Sequence, residues 1–175
     1  MRGALATTVL ALGVVAVVPV VPAQAARHNP TRAQIARAVN RAKRSASLWA
    51  TVNICDTKRH PNTLGIRAQM PALGFPSWLS FQIQLNYYSA SKHRFVPISK
   101  GSMLIRLGRS SHGLQQAGAS FSFTPHTGLL NANVNFIWRR SGRLLGQTRR
   151  RTTAGHPNAD FGNPPHFSAK QCRIS

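Results

Sequence analysis

Two stretches of the chain alternate between apolar and polar side chains over most of their length. Odd-numbered positions are apolar in residues 79–88, and even-numbered positions are apolar in residues 130–138. Successive side chains of a β-strand point to opposite faces, so a period of two predicts a strand with one buried and one polar face. These two strands are the best-defined elements of the sequence.

Seven further segments carry weaker strand signals and are separated by clusters of Pro, Gly, Asn and His. They are residues 48–55, 63–70, 94–98, 103–107, 120–123, 143–152 and 167–172. Many short strands with no helix between them are typical of an all-β domain. We therefore predict that residues 48–175 form an antiparallel, immunoglobulin-like β-sandwich.

The segment before these strands, residues 26–47, has a helical pattern. Thr31 and Gln34 fit a capping box, which predicts a short basic helix over residues 32–44. One face of this helix would carry Arg37, Arg41 and Arg44. That face would suit an anionic surface, but the apolar stripe is narrow and rich in Ala, which favours a solvated lead-in helix or tether.

Residues 1–25 have the pattern of a signal peptide. Arg2 is followed by an apolar stretch at residues 5–18 and by the small-x-small sequence Ala23-Gln24-Ala25. This pattern predicts cleavage after Ala25 and a secreted, extracellular protein. No second apolar run follows, so no transmembrane segment is expected after cleavage.

The charge of the chain limits both its partners and its chemistry. The sequence has 23 Lys and Arg residues against 2 acidic ones, a formal charge of +21. The two acidic side chains are Asp56 and Asp160, so a mechanism that needs a Glu base or several acidic metal ligands has nothing to use. We expect a polyanionic partner, no catalytic residue and no cofactor.

The two cysteines, Cys55 and Cys172, are expected to form one disulfide in an exported protein. Neither cysteine has a CxxC partner or a recognisable base beside it, which speaks against a redox or nucleophilic role.

The turn after residue 138 allows a register to be predicted. We expect a three-residue loop, Arg140-Ser141-Gly142, with Gly142 in the left-handed conformation. The cross-strand pairs would then be Ile137 with Leu145, Asn135 with Gln147, Asn133 with Arg149 and Asn131 with Arg151. A two-residue loop would turn Arg149 and Arg151 toward the core, and the cost of burying them rejects it.

If strand 79–88 lies beside this hairpin, one sheet gains an outer face rich in amides and arginine. The expected binding residues are Gln82, Gln84, Asn131, Asn133, Asn135, Gln147, Arg149 and Arg151, with Asn86 beside them. Amides donate and accept hydrogen bonds, and guanidinium forks bind phosphate, sulfate or carboxylate. The face is thus a candidate site for an anionic polysaccharide or cell-envelope polymer. The alternative is an ordinary solvated face.

The densest basic cluster also lies on this hairpin and comprises Arg139, Arg140, Arg143, Arg149, Arg150 and Arg151. It would attract nucleic acid without specificity at low salt. Stacking aromatics between the basic residues are not expected, since Phe136 and Trp138 are assigned inward and only Tyr88 is free to stack.

Two pairs of Asp and His residues lie four positions apart in the chain: Asp56 with His60, and His156 with Asp160. Two His and two Asp could bind zinc, but both pairs lie in Pro-containing loops without a metal-binding scaffold. We expect structural caps or ion pairs and no metal. The alternative to a binding module is a small secreted hydrolase or phosphodiesterase that uses His with Lys or Arg.

Residues 48–56 (LWATVNICD), residues 151–156 (RTTAGH) and the near-terminal Cys172 resemble a group of uncharacterised secreted bacterial proteins. The resemblance implies an immunoglobulin- or fibronectin III-like β-sandwich over residues 48–175. It implies no activity, because the architecture is shared by proteins of unrelated function.

Overall fold

The computed structural model describes residues 29–124 and 127–175. The expected signal peptide, residues 1–25, lies outside them. The elements are α1 (Arg32–Arg44), β1 (Trp49–Thr57), β2 (His60–Pro71), β3 (Ser77–Ser89), β4 (Arg94–Ser110), β5 (Leu114–Ser122), β6 (Gly128–Arg140), β7 (Arg143–Arg151) and β8 (Cys172–Ile174).

The strands form two antiparallel sheets, which confirms the predicted all-β class. The first sheet has the order β1-β2-β5, and the second has the order β4-β3-β6-β7. The short β8 pairs with β6 where that strand begins. As expected, β3 lies beside the β6–β7 hairpin.

One hydrophobic core lies between the two sheets. The odd-numbered residues of β3 and the even-numbered residues of β6 face it, and Phe81, Phe136 and Trp138 are completely buried. From the first sheet, β2 contributes Leu64 and Met70. The indole nitrogen of Trp138 donates to the Pro71 carbonyl at 3.0 Å, so even this polar atom is satisfied inside the core.

Four of the predicted strand segments differ from the structure. Residues 94–98 and 103–107 belong to one long strand, β4, and β5 begins six residues earlier than the predicted segment 120–123. The strand predicted at 167–172 is wrong, since β8 starts at Cys172 and residue Ala169 makes only an isolated bridge to Val52.

Helix α1 has the predicted bounds and the predicted capping box between Thr31 and Gln34. The narrow apolar stripe favoured a solvated lead-in helix or tether, and the structure corrects this expectation. In the structure Ala38, Val39 and Ala42 are buried in the common core. The helix contacts β7, where the guanidinium of Arg150 donates to the Lys43 carbonyl.

The β6–β7 hairpin corrects the predicted loop. The turn has two central residues, Ser141 and Gly142, and both have positive φ, as a type I′ turn requires. One residue after the turn, a register shift leaves Leu145 without a direct partner, because Arg139 faces Leu144 and Trp138 faces Gly146. A two-residue loop alone would turn Arg149 and Arg151 toward the core. The extra residue of the bulge returns both side chains to the outer face.

The predicted face of the hairpin is therefore right, although the predicted pairs are wrong by two residues. Asn135 faces Arg149, and Asn133 faces Arg151, on the outer side of the second sheet. A two-residue loop is compatible with this face because the bulge compensates for the change of parity.

Cys55 and Cys172 form the predicted disulfide. Cys55 lies in β1 and Cys172 in β8, so the bond joins the first sheet to the second.

Residues 153–171, which we call the C-terminal segment, cover the first sheet. The backbone of Val52 exchanges two hydrogen bonds with Ala169. The side-chain amide of Asn53 donates to the carbonyls of Asp160 and Phe161. Within the described part of the chain, no helix is both long and apolar enough to cross a bilayer.

Candidate functional site

The two sheets differ in how their outer faces are covered. On the first sheet, Thr51 and Asn53 are buried under the C-terminal segment although they point away from the core. On the second sheet, Gln82, Arg149 and Arg151 are exposed. The outer side of the second sheet is thus the polar sheet face that the described residues leave open to a ligand.

Cross-strand register aligns the predicted residues in two rows. One row runs from Gln82 through Asn135 to Arg149, and the next runs from Gln84 through Asn133 to Arg151. Directly paired residues on one face of antiparallel strands have Cβ atoms about 5 Å apart. Each row therefore places two amides and one guanidinium side by side.

Internal hydrogen bonds hold several of these amides in place. The Gln82 amide nitrogen donates to the Ser102 hydroxyl at 2.7 Å, and that of Gln84 donates to the Ile98 carbonyl at 3.1 Å. The Asn135 amide donates to Gln147 at 3.5 Å. Because these bonds use amide N–H donors, the carbonyl oxygens of Gln82 and Gln84 remain to accept from a ligand.

The two rows border a shallow depression of about 280 Å³. It is lined by Gln82, Gln84, Asn86, Pro97, Asn133, Asn135 and Arg149. The depression thus brings together six residues that the sequence analysis placed on or beside this face.

Asn131 does not belong to the open face, contrary to the prediction. It is 2% exposed and accepts a hydrogen bond of 2.9 Å from the buried amide of Asn86. This bond between two buried amides has a structural role, because a buried amide left unpaired would be costly.

Trp78 is the residue that the sequence analysis missed. Its side chain is 55% exposed, and its cross-strand partners are Arg109 on β4 and Arg139 on β6. The parity of β3 contained the signal, since Trp78 has an even number like the outward-facing Gln82 and Gln84. The predicted strand began at residue 79, two residues after the start of β3, and so excluded Trp78.

A second depression, of about 520 Å³, extends along this end of the face. It is lined by Trp78, Leu79, Ser80, Gln82, Leu104, Arg106, Ile137 and Arg139. Gln82 lines both depressions and so joins the tryptophan end of the face to the amide rows.

No acidic side chain neutralises this face. Asp56 lies at the end of β1 and accepts from the backbone N–H groups of Ser175 and Asn62. Those bonds hold the pKa of the Asp56 carboxyl below its ordinary value, with the Ser175 N–H the largest cause. Asp160, the other acid, lies in the C-terminal segment.

The residues considered for a metal site have separate structural surroundings. His60 is exposed at the start of β2, while Asp56 accepts hydrogen bonds from Ser175 near the end of the chain. Within residues 29–124 and 127–175, no three His, Cys, Asp or Glu side chains cluster closely enough to hold a metal ion.

His156 makes the contact closest to a catalytic pair. Its imidazole stacks on Trp49 with 4.6 Å between ring centroids, and its Nε2 lies 2.9 Å from the Thr153 hydroxyl. Burial lowers the pKa of His156. A nucleophile and base of this kind need a third group to orient the base, and neither Asp56 nor Asp160 hydrogen-bonds the imidazole.

The basic cluster of the hairpin points in several directions. Arg139, Arg149 and Arg151 lie on the outer face. Arg150 is directed to the helix, Arg140 lies 5.6 Å from the ring centroid of Phe75, and Arg143 is the cross-strand partner of Arg140. Half of the cluster is thus separated from the open face.

No family model and no curated protein matches the chain. Among solved structures, it is similar to a putative beta-galactosidase from Bacteroides fragilis, at 13% identity and a TM-score of 0.34. The similarity covers 63% of this chain and 17% of that chain. A likeness this distant indicates neither a fold family nor an activity for this chain.

Proposed function

We propose that the protein is a secreted, non-catalytic β-sandwich module that binds an anionic glycan or cell-envelope polymer through the outer face of its second sheet. The observation that carries the proposal is the contrast between the two sheets. One outer face is covered by the chain's own C-terminal segment, and the other presents amides and guanidiniums to solvent. Neither carboxylate of the chain lies on that open face.

The chemistry of the face suits an extended polyanion. Arg149 and Arg151 end neighbouring amide rows, so each can bind an acidic group while the amides bind hydroxyls of the same ligand. The two depressions lie next to each other along the sheet and share Gln82, which favours a polymer that extends over both of them over a small molecule held in one.

We further propose that the two sheets form an immunoglobulin-like β-sandwich. The orders β1-β2-β5 and β4-β3-β6-β7 correspond to strands A-B-E and C′-C-F-G of that architecture. The disulfide differs from that of immunoglobulin domains, because it joins β1 to β8 at the chain end. The fold alone assigns no ligand.

Export is part of the proposal. The Cys55–Cys172 disulfide is compatible with an oxidising compartment, and the first 25 residues have the signal-peptide pattern. Outside the cell, a strongly cationic protein would meet acidic polysaccharides and phosphate-bearing envelope polymers. Non-specific contact with nucleic acid at low salt is expected from charge alone.

The alternative predicted from the sequence is a hydrolase or phosphodiesterase that uses His with Lys or Arg, and the histidine contact on which we test it is that of His156 with Thr153. This pair lies against the first sheet, where Thr153 also bonds the Ala50 carbonyl. A panel of esterase, glycosidase and phosphodiesterase substrates tests it directly. Turnover by wild type that is lost in His156→Ala would show that the protein is an enzyme and not a non-catalytic binding module.

The binding proposal is tested by the double substitution Arg149→Gln/Arg151→Gln. The matched control is Lys58→Gln/Arg59→Gln, which removes two exposed charges from the β1–β2 turn. Binding to immobilised dextran sulfate and polygalacturonate is measured across salt concentrations. The face variant should bind several-fold more weakly and should flatten the dependence of log affinity on log salt by roughly 2, since fewer counterions are released.

Both variants should unfold at nearly the wild-type urea concentration, because exposed charges contribute little to stability. If the two variants lose affinity equally, binding depends on net charge and the face is not a site. If wild type binds neither polymer at physiological salt, the proposed function is wrong.

A further inference from the structure

We propose that Trp78 is a sugar-stacking subsite and that the ligand of the open face is an acidic polysaccharide, with pyranose rings that carry carboxylate or sulfate groups. This inference rests on the proposed function and narrows it. It names the ring that the ligand must contain and the end of the face where that ring binds.

The exposure of Trp78 is the first observation. The other two tryptophans, Trp49 and Trp138, are buried, whereas more than half of Trp78 faces solvent. An indole left in water forgoes the hydrophobic stabilisation that burial would give. Covering it with the apolar C–H face of a sugar ring recovers part of that free energy.

The charges around Trp78 are the second observation. Arg109 and Arg139 are its direct cross-strand neighbours on either side, and Arg106 lines the same depression. All three guanidiniums are exposed. A ring stacked on the indole would therefore place an acidic substituent within reach of a guanidinium on either flank.

The path away from Trp78 is the third observation. Gln82 belongs to both depressions, and the amide rows continue from it to Gln84. Trp78 and Gln84 are six residues apart in one strand, which corresponds to roughly 20 Å. A chain of several sugars could thus bind the indole at one end and the amide rows at the other, and its hydroxyls would meet both donors and acceptors.

The same aromatic and basic residues raise the question of single-stranded nucleic acid. That ligand stacks successive bases on several aromatic side chains. The other aromatics on the outer side of the second sheet, Tyr88 and Phe95, pack edge to face with each other. Tyr88 lies ten residues from Trp78 along β3, or roughly 33 Å. One isolated indole followed by amides favours a glycan.

The experiment compares Trp78→Ala and Trp78→Phe with the control Tyr87→Ala. Tyr87 is exposed to a similar degree but has the opposite parity in β3. The probes are polygalacturonate, inorganic polyphosphate and oligothymidylate of matched charge, with binding measured at physiological salt. Urea unfolding of each variant verifies that it folds.

Trp78→Ala should weaken polygalacturonate binding about tenfold, the amount expected for loss of one aromatic stacking contact. Trp78→Phe should retain most of the affinity because a flat ring remains. Polyphosphate has no ring to stack, so its affinity should change less than twofold in every variant. Tyr87→Ala should leave all three affinities unchanged.

Tryptophan emission gives a second measurement. Trp78 is the exposed tryptophan, so polygalacturonate should protect it from quenching by acrylamide, and Trp78→Phe should abolish that protection. Polyphosphate should protect it much less.

Three results would overturn the inference. Equal loss of polygalacturonate and polyphosphate binding in Trp78→Ala would mean that the indole only supports the basic residues. A larger loss for oligothymidylate would identify a nucleic-acid site. Unchanged binding of polygalacturonate would leave the proposed function intact and remove the sugar subsite, whereas failure of wild type to bind any polymer would reject the proposed function itself.

Discussion

Polar residues of the same type have different roles in this protein. The role of each depends on whether other residues pack over its side chain. Asn131 and Asn133 are two positions apart on one face of β6. Asn131 is buried against Asn86, while Asn133 lines the open depression. Sequence alternation places both on the outer face but does not reveal what lies above them.

His156 provides a residue-scale prediction about pH. Burial against Trp49 lowers the pKa of its imidazole from the ordinary value of 6.5, so the folded state resists protonation more than the unfolded state does. The contribution of His156 to the free energy of unfolding is therefore fully present above about pH 6.5. It is lost as the pH falls from there through the lowered pKa of His156 in the folded state.

His156→Phe retains a flat ring on Trp49 and removes the titration, so its melting temperature should fall less than that of wild type between pH 7.5 and pH 5. The control, His60→Phe, replaces an exposed imidazole that stacks on no tryptophan, and so separates the effect of His156 from that of replacing any histidine by Phe. Parallel profiles for wild type and His156→Phe would show that this histidine does not couple protonation to folding.

At the scale of elements, the docking of α1 depends on a glycine in β7, which has no side chain. A Cβ atom added to Gly146 of β7 would lie 2.4 Å from Cγ1 of Val39, closer than any real contact. Glycine at this strand position therefore lets the helix approach the sheet. The apolar stripe of α1 is short, and its sequence alone gave no indication of this partner.

Gly146→Ala should destabilise the fold by about 1 to 3 kcal/mol through overpacking, as measured by urea unfolding. Val39→Ala should cost roughly 2 kcal/mol through lost burial. The double variant should cost less than the sum, because the new methyl group would lie an ordinary 3.5 Å from Cβ of residue 39. Strict additivity would mean that the helix does not pack against β7 at this point.

The elements themselves were predictable where one face is buried and the other is wet. β3 and β6 alternate because each has one face in the core and one outside, and α1 begins at a capping box. β5 lacked such a signal, since its central residues Ala117, Gly118 and Ala119 do not alternate. The predicted register of the β6–β7 hairpin was wrong because the turn and the bulge together determine which residues of β7 face outward.

At the scale of the whole molecule, the C-terminal segment makes the two sheets unequal. It bonds to β1 along the edge of the first sheet and lies over Thr51 and Asn53. Residues 153–171 contain few regular hydrogen-bonding elements, so no periodicity predicted where they pack. The candidate face could be listed from sequence, but its openness depends on this long-range placement.

The disulfide provides the prediction at this scale, because it ties β8, at the end of the C-terminal segment, to β1. Cys55 and Cys172 are 117 residues apart in sequence, and a loop of that size corresponds to a stabilisation of about 4 kcal/mol in the chain-entropy model. In urea unfolding, the double variant Cys55→Ser/Cys172→Ser should lose up to that amount of its free energy of unfolding. By mass spectrometry, native protein should be lighter than reduced protein by two hydrogen atoms. Leu130, which pairs with Cys172, is nine residues along β6 from Arg139, or roughly 30 Å, so the folded fraction of the variant should bind polymer as wild type does. Free thiols in native protein would show that the disulfide does not form. A loss of polymer binding by fully folded variant would show that the disulfide positions the open face as well as stabilising the chain.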